Sequence, residues 1–236
     1  MRNINEYDEV DFEEQFANSE VAQAIQKDFD VLSWAKHFDP KKLYATERQQ
    51  IGKQMFSMTS FYYINKLLEK NPLEIYDFGC GWNIFKKYLT STNIIGVSPE
   101  NPDDPNAYYG DHYDVFDADY ATYHSDEFES AMAICSLQYA TLTEIRNLAE
   151  LFISVIKPGG RGYISFDIVP MVVREDPEIL QELFNTTDPI AQVIDEYVID
   201  QLSNLPCNYI VFDVDTCETQ DAVDGTARIL FERPME

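Results

Sequence analysis

The spacing of apolar residues changes along the chain. Phe12, Phe16, Val21, Ile25 and Phe29 recur near helical spacing among acids and glutamines, which predicts a first amphipathic helix. A second short helical stretch around Val31–Phe38 stops at Asp39-Pro40. Phe56, Phe61, Ile64, Leu67 and Leu68 predict a helix over Met55–Glu69, broken by Asn71-Pro72. Strands then alternate with helices. Leu73–Phe78 reads as the opening strand, Ile84–Leu89 as a short helix and Asn93–Ser98 as strand 2, with Gly96 inside it. Asn101–Asn106 cannot support a long helix. Strand 3 is expected at His112–Asp117. Strand 4 is expected at Ser130–Cys135, a run of small uncharged residues suited to burial on both faces.

The clearest helix carries Leu142, Ile145, Leu148, Leu151, Phe152, Val155 and Ile156 on one stripe. Thr141-Leu142-Thr143-Glu144 offers a capped start, and Lys157-Pro158-Gly159-Gly160 a cation and a glycine stop. Strand 5, Gly162–Asp167, follows. An acidic helical region runs from about Pro177 to Leu202, with a possible break at Asp188-Pro189. Tyr209–Asp213 and Thr226–Glu232, joined by a polar loop ending Asp224-Gly225, predict an antiparallel hairpin. This order predicts an α/β fold: a doubly wound, seven-stranded, mostly parallel sheet with a C-terminal antiparallel hairpin. Residues 1–54 are expected to form a helical arm or cap, and residues 55–236 the main domain.

Composition narrows the function classes. Seventeen basic residues against 42 acidic ones give a net charge of −25. Such a surface repels phosphate backbones, so duplex nucleic acid is disfavoured as a partner. No stretch reaches the roughly 20 apolar residues that span a bilayer, and the acidic N-terminus lacks a secretion signal, so a cytoplasmic protein with no membrane partner is expected. Cys80, Cys135, Cys207 and Cys217 form no Cys-x-x-Cys pair and read as small buried thiols, with no metal site expected. Asp213-Val214-Asp215 with Asp221 and Asp224 lacks the central glycine and terminal glutamate of a calcium loop, which favours a hairpin turn there.

In a doubly wound sheet, ligands sit outside the carboxyl ends of the strands. The tips to weigh are Asp77–Gly81, Ser98–Glu100, Asp117–Asp119, Cys135–Tyr139 and Asp167–Pro170. Their glycines allow close approach, and their carboxylates accept hydroxyl or amine donors.

Asp77-Phe78-Gly79-Cys80-Gly81 resembles the first motif of class I S-adenosylmethionine-dependent methyltransferases. Lys157-Pro158-Gly159-Gly160-Arg161-Gly162 is similar to the turn before their fifth strand, Phe128–Tyr139 to their fourth strand, and the terminal hairpin to their sixth and seventh strands. The resemblance covers about residues 55–233. The variant Gly79-Cys80-Gly81-x-Asn83-x-Phe85-Lys86 also resembles small methyltransferase-like proteins of phages.

The resemblance implies a Rossmann-like methyltransferase fold and S-adenosylmethionine as cofactor. Asp77, Gly79 and Gly81 would line its methionine end, with backbone contacts from Phe78 and Cys80. Asp117 and Ala118 would lie beside the adenine amino group, and Cys135 and Ser136 would pass beneath the cofactor. The tip of strand 2 normally carries an acid for the ribose hydroxyls. Here Ser98 stands there, followed by Pro99 and Glu100. Losing that charge-assisted pair of bonds costs on the order of 1.5–3 kcal/mol.

Gln138 and Tyr139 are the candidate acceptor contacts, and His124 reads as a plain loop histidine. Ser136-Leu137-Gln138-Tyr139 does not match the Asn/Asp-Pro-Pro-Tyr/Phe of amino-group nucleic-acid methyltransferases, nor does a Pro-Cys nucleophile pair occur there. No catalytic residue is assigned, and the oligomeric state is left open. The expected activity is methyl transfer to a small molecule or a protein group. The alternatives are a methyltransferase-like binding protein without turnover, or an acidic decoy for a basic nucleic-acid-binding partner.

Overall fold

The computed structural model describes residues 63–64, 66–80, 83, 85–86, 92–99, 110–137, 140–185, 187–218 and 223–235. The expected arm over residues 1–54, and most of the helix expected at Ile84–Leu89, lie outside the described residues. Seven strands form one sheet: β1 (Glu74–Phe78), β2 (Asn93–Ser98), β3 (His112–Tyr113), β4 (Phe128–Ile134), β5 (Ile156–Asp167), β6 (Asn208–Glu218) and β7 (Val223–Glu232). Their order is β3-β2-β1-β4-β5-β7-β6. The first five are mutually parallel, and β7 runs antiparallel to both β5 and β6. Strand order reverses between β1 and β4, so a crevice is expected above their carboxyl ends. This is the predicted Rossmann-like methyltransferase topology.

The described helices are α1 (Ala118–Tyr123), a 3₁₀ turn at Leu142–Glu144, α2 (Ile145–Ser154), α3 (Ile168–Arg174), α4 (Pro177–Leu183) and α5 (Ile190–Leu202). Residues 63, 64 and 66–68 are helical too. Period-2 alternation divides each strand between two faces. On one face, Phe78, Val97, Ala131, Ala133, Ile164, Phe166, Ile229 and Phe231 bury against α1, α2, α3 and α5. Phe78 is the hub of that layer, with ring centroids 5.0 Å from Phe116, 5.7 Å from Phe128 and 6.1 Å from Phe152. The opposite face buries Ile75, Ile94, Met132, Tyr163, Leu230 and Val211 against Ile64, Leu67 and Phe85.

Several expected boundaries move. The hairpin strands extend to Glu218 and back to Val223, so Asp224-Gly225 lies within the span of β7 instead of ending a loop. The helix stripe ends at Ser154, with Val155 as its cap, and Lys157-Pro158-Gly159-Gly160 lies within the span of β5. The register slips between Phe128 and Ser130, which accommodates the extra residues as a bulge. Gly159, at φ +79°, supplies the left-handed residue there, and its N–H donates to the Arg233 carbonyl at 2.9 Å. Strand 3 shortens to His112–Tyr113, because the Asp117 carboxylate accepts from Tyr120 N at 2.8 Å and starts α1 instead. Strand 4 begins earlier, at Phe128.

Candidate functional site

The turn after β1 is fixed by groups from two neighbouring strands. Gly79 and Cys80 both donate their backbone N–H to the Val97 carbonyl of β2, at 2.7 and 3.1 Å. From beyond β4, Ser136 donates its hydroxyl to the Phe78 carbonyl at 2.5 Å. Gly79 sits at φ +67°, where an L side chain is strained, and a Cβ there would overlap the Ser136 side chain. Both conditions demand glycine. Asp77 lies directly beneath, a β1 residue only 2% exposed on the face that carries Ile75 and Met132.

The next step of the motif is built by exchange. Where a third glycine would let the following helix approach β2, this chain has Asn83, at φ +49°. The missing space comes from β2 itself. A Cβ on Gly96 would stand 2.7 Å from Asn83 Nδ2 and 2.8 Å from Cys80 Sγ. Asn83 then donates Nδ2–H to Asp111 Oδ2 at 3.3 Å, while Gly96 N donates to the same oxygen at 2.9 Å and Lys86 pairs with Oδ1. Burial raises the Asp111 pKa, but the bonds from Lys86, Gly96 N and Asn83 outweigh it and hold the carboxyl below its usual range. Asp111 therefore ties the glycine turn to the β2–β3 edge.

Ser98, at the ribose-acid position, is 0% exposed, packed where Gly110 leaves room for its Cβ. Pro99 follows, exposed. Asp117 and Ala118 sit together at the exposed start of α1, next to buried Phe116. Gly81, Glu100, Gln138 and Tyr139 lie outside the described residues. Cys135, at φ +46°, donates its N–H to the Ser165 carbonyl and hydroxyl at 3.0 and 3.1 Å. Burial pushes its thiol up to about 11, only partly offset by Ser165 Oγ at 3.5 Å, so it is protonated and no nucleophile near neutrality.

His124 is at the other end of the sheet. Its ring lies tilted against Tyr120, stacks on Phe128, the first residue of β4, and contacts Glu127 at 2.5 Å. It has no access to the strand tips.

A further set of groups was not anticipated. One side-chain step beyond the row Asp77–Met132–Tyr163–Leu230–Val211, the same face carries Ile134, Ser165, Arg228 and Asp213 in direct cross-strand register. Arg228 Nη1 donates to Asp213 Oδ2 at 2.9 Å. Asp213, expected as the last residue of its strand, lies inside β6, which runs on to Glu218. The available signal was a charge on each hairpin strand at inward positions of the alternation. Among the described residues no group of three or more His, Cys, Asp or Glu is placed to hold a metal, and no helix is long and apolar enough to cross a membrane.

A fit to S-adenosylmethionine can be judged from these groups. The turn meets the requirement at the methionine end, with a buried carboxylate under a glycine that tolerates close approach. The adenine end has an exposed carboxylate at Asp117. The ribose position, with buried Ser98, has a hydroxyl in place of a carboxylate.

No protein-family model and no curated protein matches this chain. Solved structures with similar folds include an S-adenosylmethionine-dependent methyltransferase from Methanosarcina mazei, 15% identical, with a TM-score of 0.39 over 69% of this chain and 93% of that one. One from Archaeoglobus fulgidus is 13% identical, with a TM-score of 0.42 over 76% and 94%. The N-methyltransferase NodS from Bradyrhizobium japonicum is 13% identical, with a TM-score of 0.40 over 76% and 97%. The fold class itself stands on this chain's strand order and terminal hairpin.

Proposed function

We propose that the protein is an S-adenosylmethionine-dependent methyltransferase acting on a small molecule or a protein group. The observation that carries this reading is the turn after β1. Gly79 is required there by both φ and contact, above a buried Asp77, at the point where strand order reverses. When bound, S-adenosylmethionine supplies an electrophilic sulfonium methyl group.

The chain's own groups do the holding. Asp77 offers the crevice a carboxylate suited to an ammonium. Gly79 leaves room for it and Gly81 is assigned to the same end, with Phe78 and Cys80 contributing backbone, and Ser136 keeps the turn in place. Asp117 and Ala118 offer an acceptor and backbone at the adenine end, Ser98 and Pro99 border the ribose position, and Cys135 closes the floor beyond β4. Gln138 and Tyr139 are assigned to acceptor contact. Methyl transfer can proceed by aligning a nucleophile with the methyl, so no fixed base is needed unless the acceptor must lose a proton.

Calorimetric titration of the full chain with S-adenosylmethionine and S-adenosylhomocysteine tests this reading. Saturable binding of both is expected, and the absence of heat at millimolar ligand overturns it. Ser98 favours a second reading, a binding protein that retains the cofactor without turnover. That reading is removed by methyl transfer to any member of an acceptor panel.

A further inference from the structure

The row Ile134–Ser165–Arg228–Asp213 places a guanidinium on the sheet face that carries Asp77, toward the carboxyl ends of β4 and β5. By strand spacing, Arg228 lies about 10 Å from β4 and about 14 Å from β1. It is thus beside the cofactor turn, on the side away from the adenine position. Its side chain is 20% exposed, so it is sheltered but reachable. Among the described residues its one hydrogen bond is the single contact to Asp213. Most of the guanidinium's N–H donors remain available, and an arginine fork suits a planar carboxylate in two-point contact. A wall stands next to it: Tyr63 and Tyr163 stack at 4.7 Å between centroids, 12° from parallel, within electrostatic range of Arg228.

An arginine inside a sheet face calls for an explanation other than packing. A salt bridge this sheltered stabilises little compared with an apolar pair of similar volume, and the same face one step below is apolar at Tyr163, Leu230 and Val211. We propose that Arg228 is an acceptor-binding residue that takes the carboxylate of a small-molecule substrate, with Asp213 pairing the guanidinium until the substrate carboxylate competes for it. Charge selects the class. Asp213 beside Arg228 and Asp167 at the end of β5 penalise a dianionic phosphate, whereas a singly charged carboxylate is balanced by Arg228. The surrounding net charge of −25 adds to that discrimination. The proposal rests on the methyltransferase reading for the word substrate, but not for the binding event.

The test uses ¹⁵N-labelled full-length protein, following the arginine Nε–Hε resonance that Arg228→Lys removes. Acetate and benzoate are the probes, with acetamide and benzamide as uncharged controls. Saturable shifts with the acids alone are expected, and Arg228→Gln should weaken acid binding about ten- to a hundredfold. Equal response to acids and amides, or no saturable shift, overturns the proposal. If Arg228→Gln does not fold, Asp213→Asn carries the test. Removing the competing carboxylate should tighten acid binding severalfold, and unchanged or weaker binding overturns it. S-adenosylhomocysteine is titrated into the same samples. Its binding without a carboxylate response defeats this inference alone, and the converse defeats the cofactor reading alone.

Discussion

The two faces of the sheet differ in what they bury. Every buried strand residue on the face under α1, α2, α3 and α5 is apolar, with aromatic rings meeting edge-on around Phe78. The other face is apolar only in its middle, with Ser130, Arg161 and Glu232 in register at its lower end. The buried polar side chains of the strands, Asp77, Ser98, Ser130 and Ser165, all lie on it, as do Arg228 and Asp213. Burying polar groups costs stability unless they are bonded, so their collection on one face marks where the fold gives up packing for chemistry. One face holds the sheet together, and the upper half of the other carries its buried and half-buried polar groups.

The largest expected effect sharpens that division. Phe152 is fully buried, against Phe78, Phe116 and Phe231. Phe152→Ala should cost about 3–5 kcal/mol in urea unfolding, yet leave S-adenosylhomocysteine affinity of the folded protein unchanged in calorimetry. A large affinity loss would show that the faces are not independent. Gly79→Ala reverses the balance. Strain at positive φ costs about 1–2 kcal/mol of stability, and overlap with Ser136 displaces the turn, so ligand affinity should fall further than stability does.

Smaller effects probe the ties around the turn. Ser136→Ala removes one hydrogen bond to the Phe78 carbonyl. It should lower stability by about 1 kcal/mol and speed amide exchange at Gly79 and Cys80, while exchange in α2 keeps pace only with global stability. The smallest effect is pH-dependent. The Asp111 pKa is depressed in the folded state, so its contribution is present above its unfolded value near 3.8 and is lost as pH falls through the lower folded value. Asp111→Asn should therefore narrow the gap to wild type on acidification, read as thermal midpoint against pH. Because Asp111 is partly exposed, the gap itself is small.

Much of the fold was legible because period and punctuation agree. Alternating strands, the terminal hairpin and the Asp188-Pro189 break between α4 and α5 all follow from local patterns. Boundaries were less so. A helix stripe continuing through Val155 and Ile156 is indistinguishable from one that stops at Ser154, because those two residues are fully buried in either state. The glycine turn was legible through its conformational demand. The exchange of space between Asn83 and Gly96 was not, since it joins residues thirteen apart through a contact that only the sheet creates. Arg228 and Asp213 were missed for the same reason: cross-strand register decides that they meet.

The central claim is that a ligand occupies the crevice above Gly79, and a crystal structure with S-adenosylhomocysteine tests it most directly. The account predicts the homocysteine end over the Asp77–Gly81 turn and adenine beside Asp117. A ligand seated elsewhere, or crystals that take up none at saturating concentration, would contradict it.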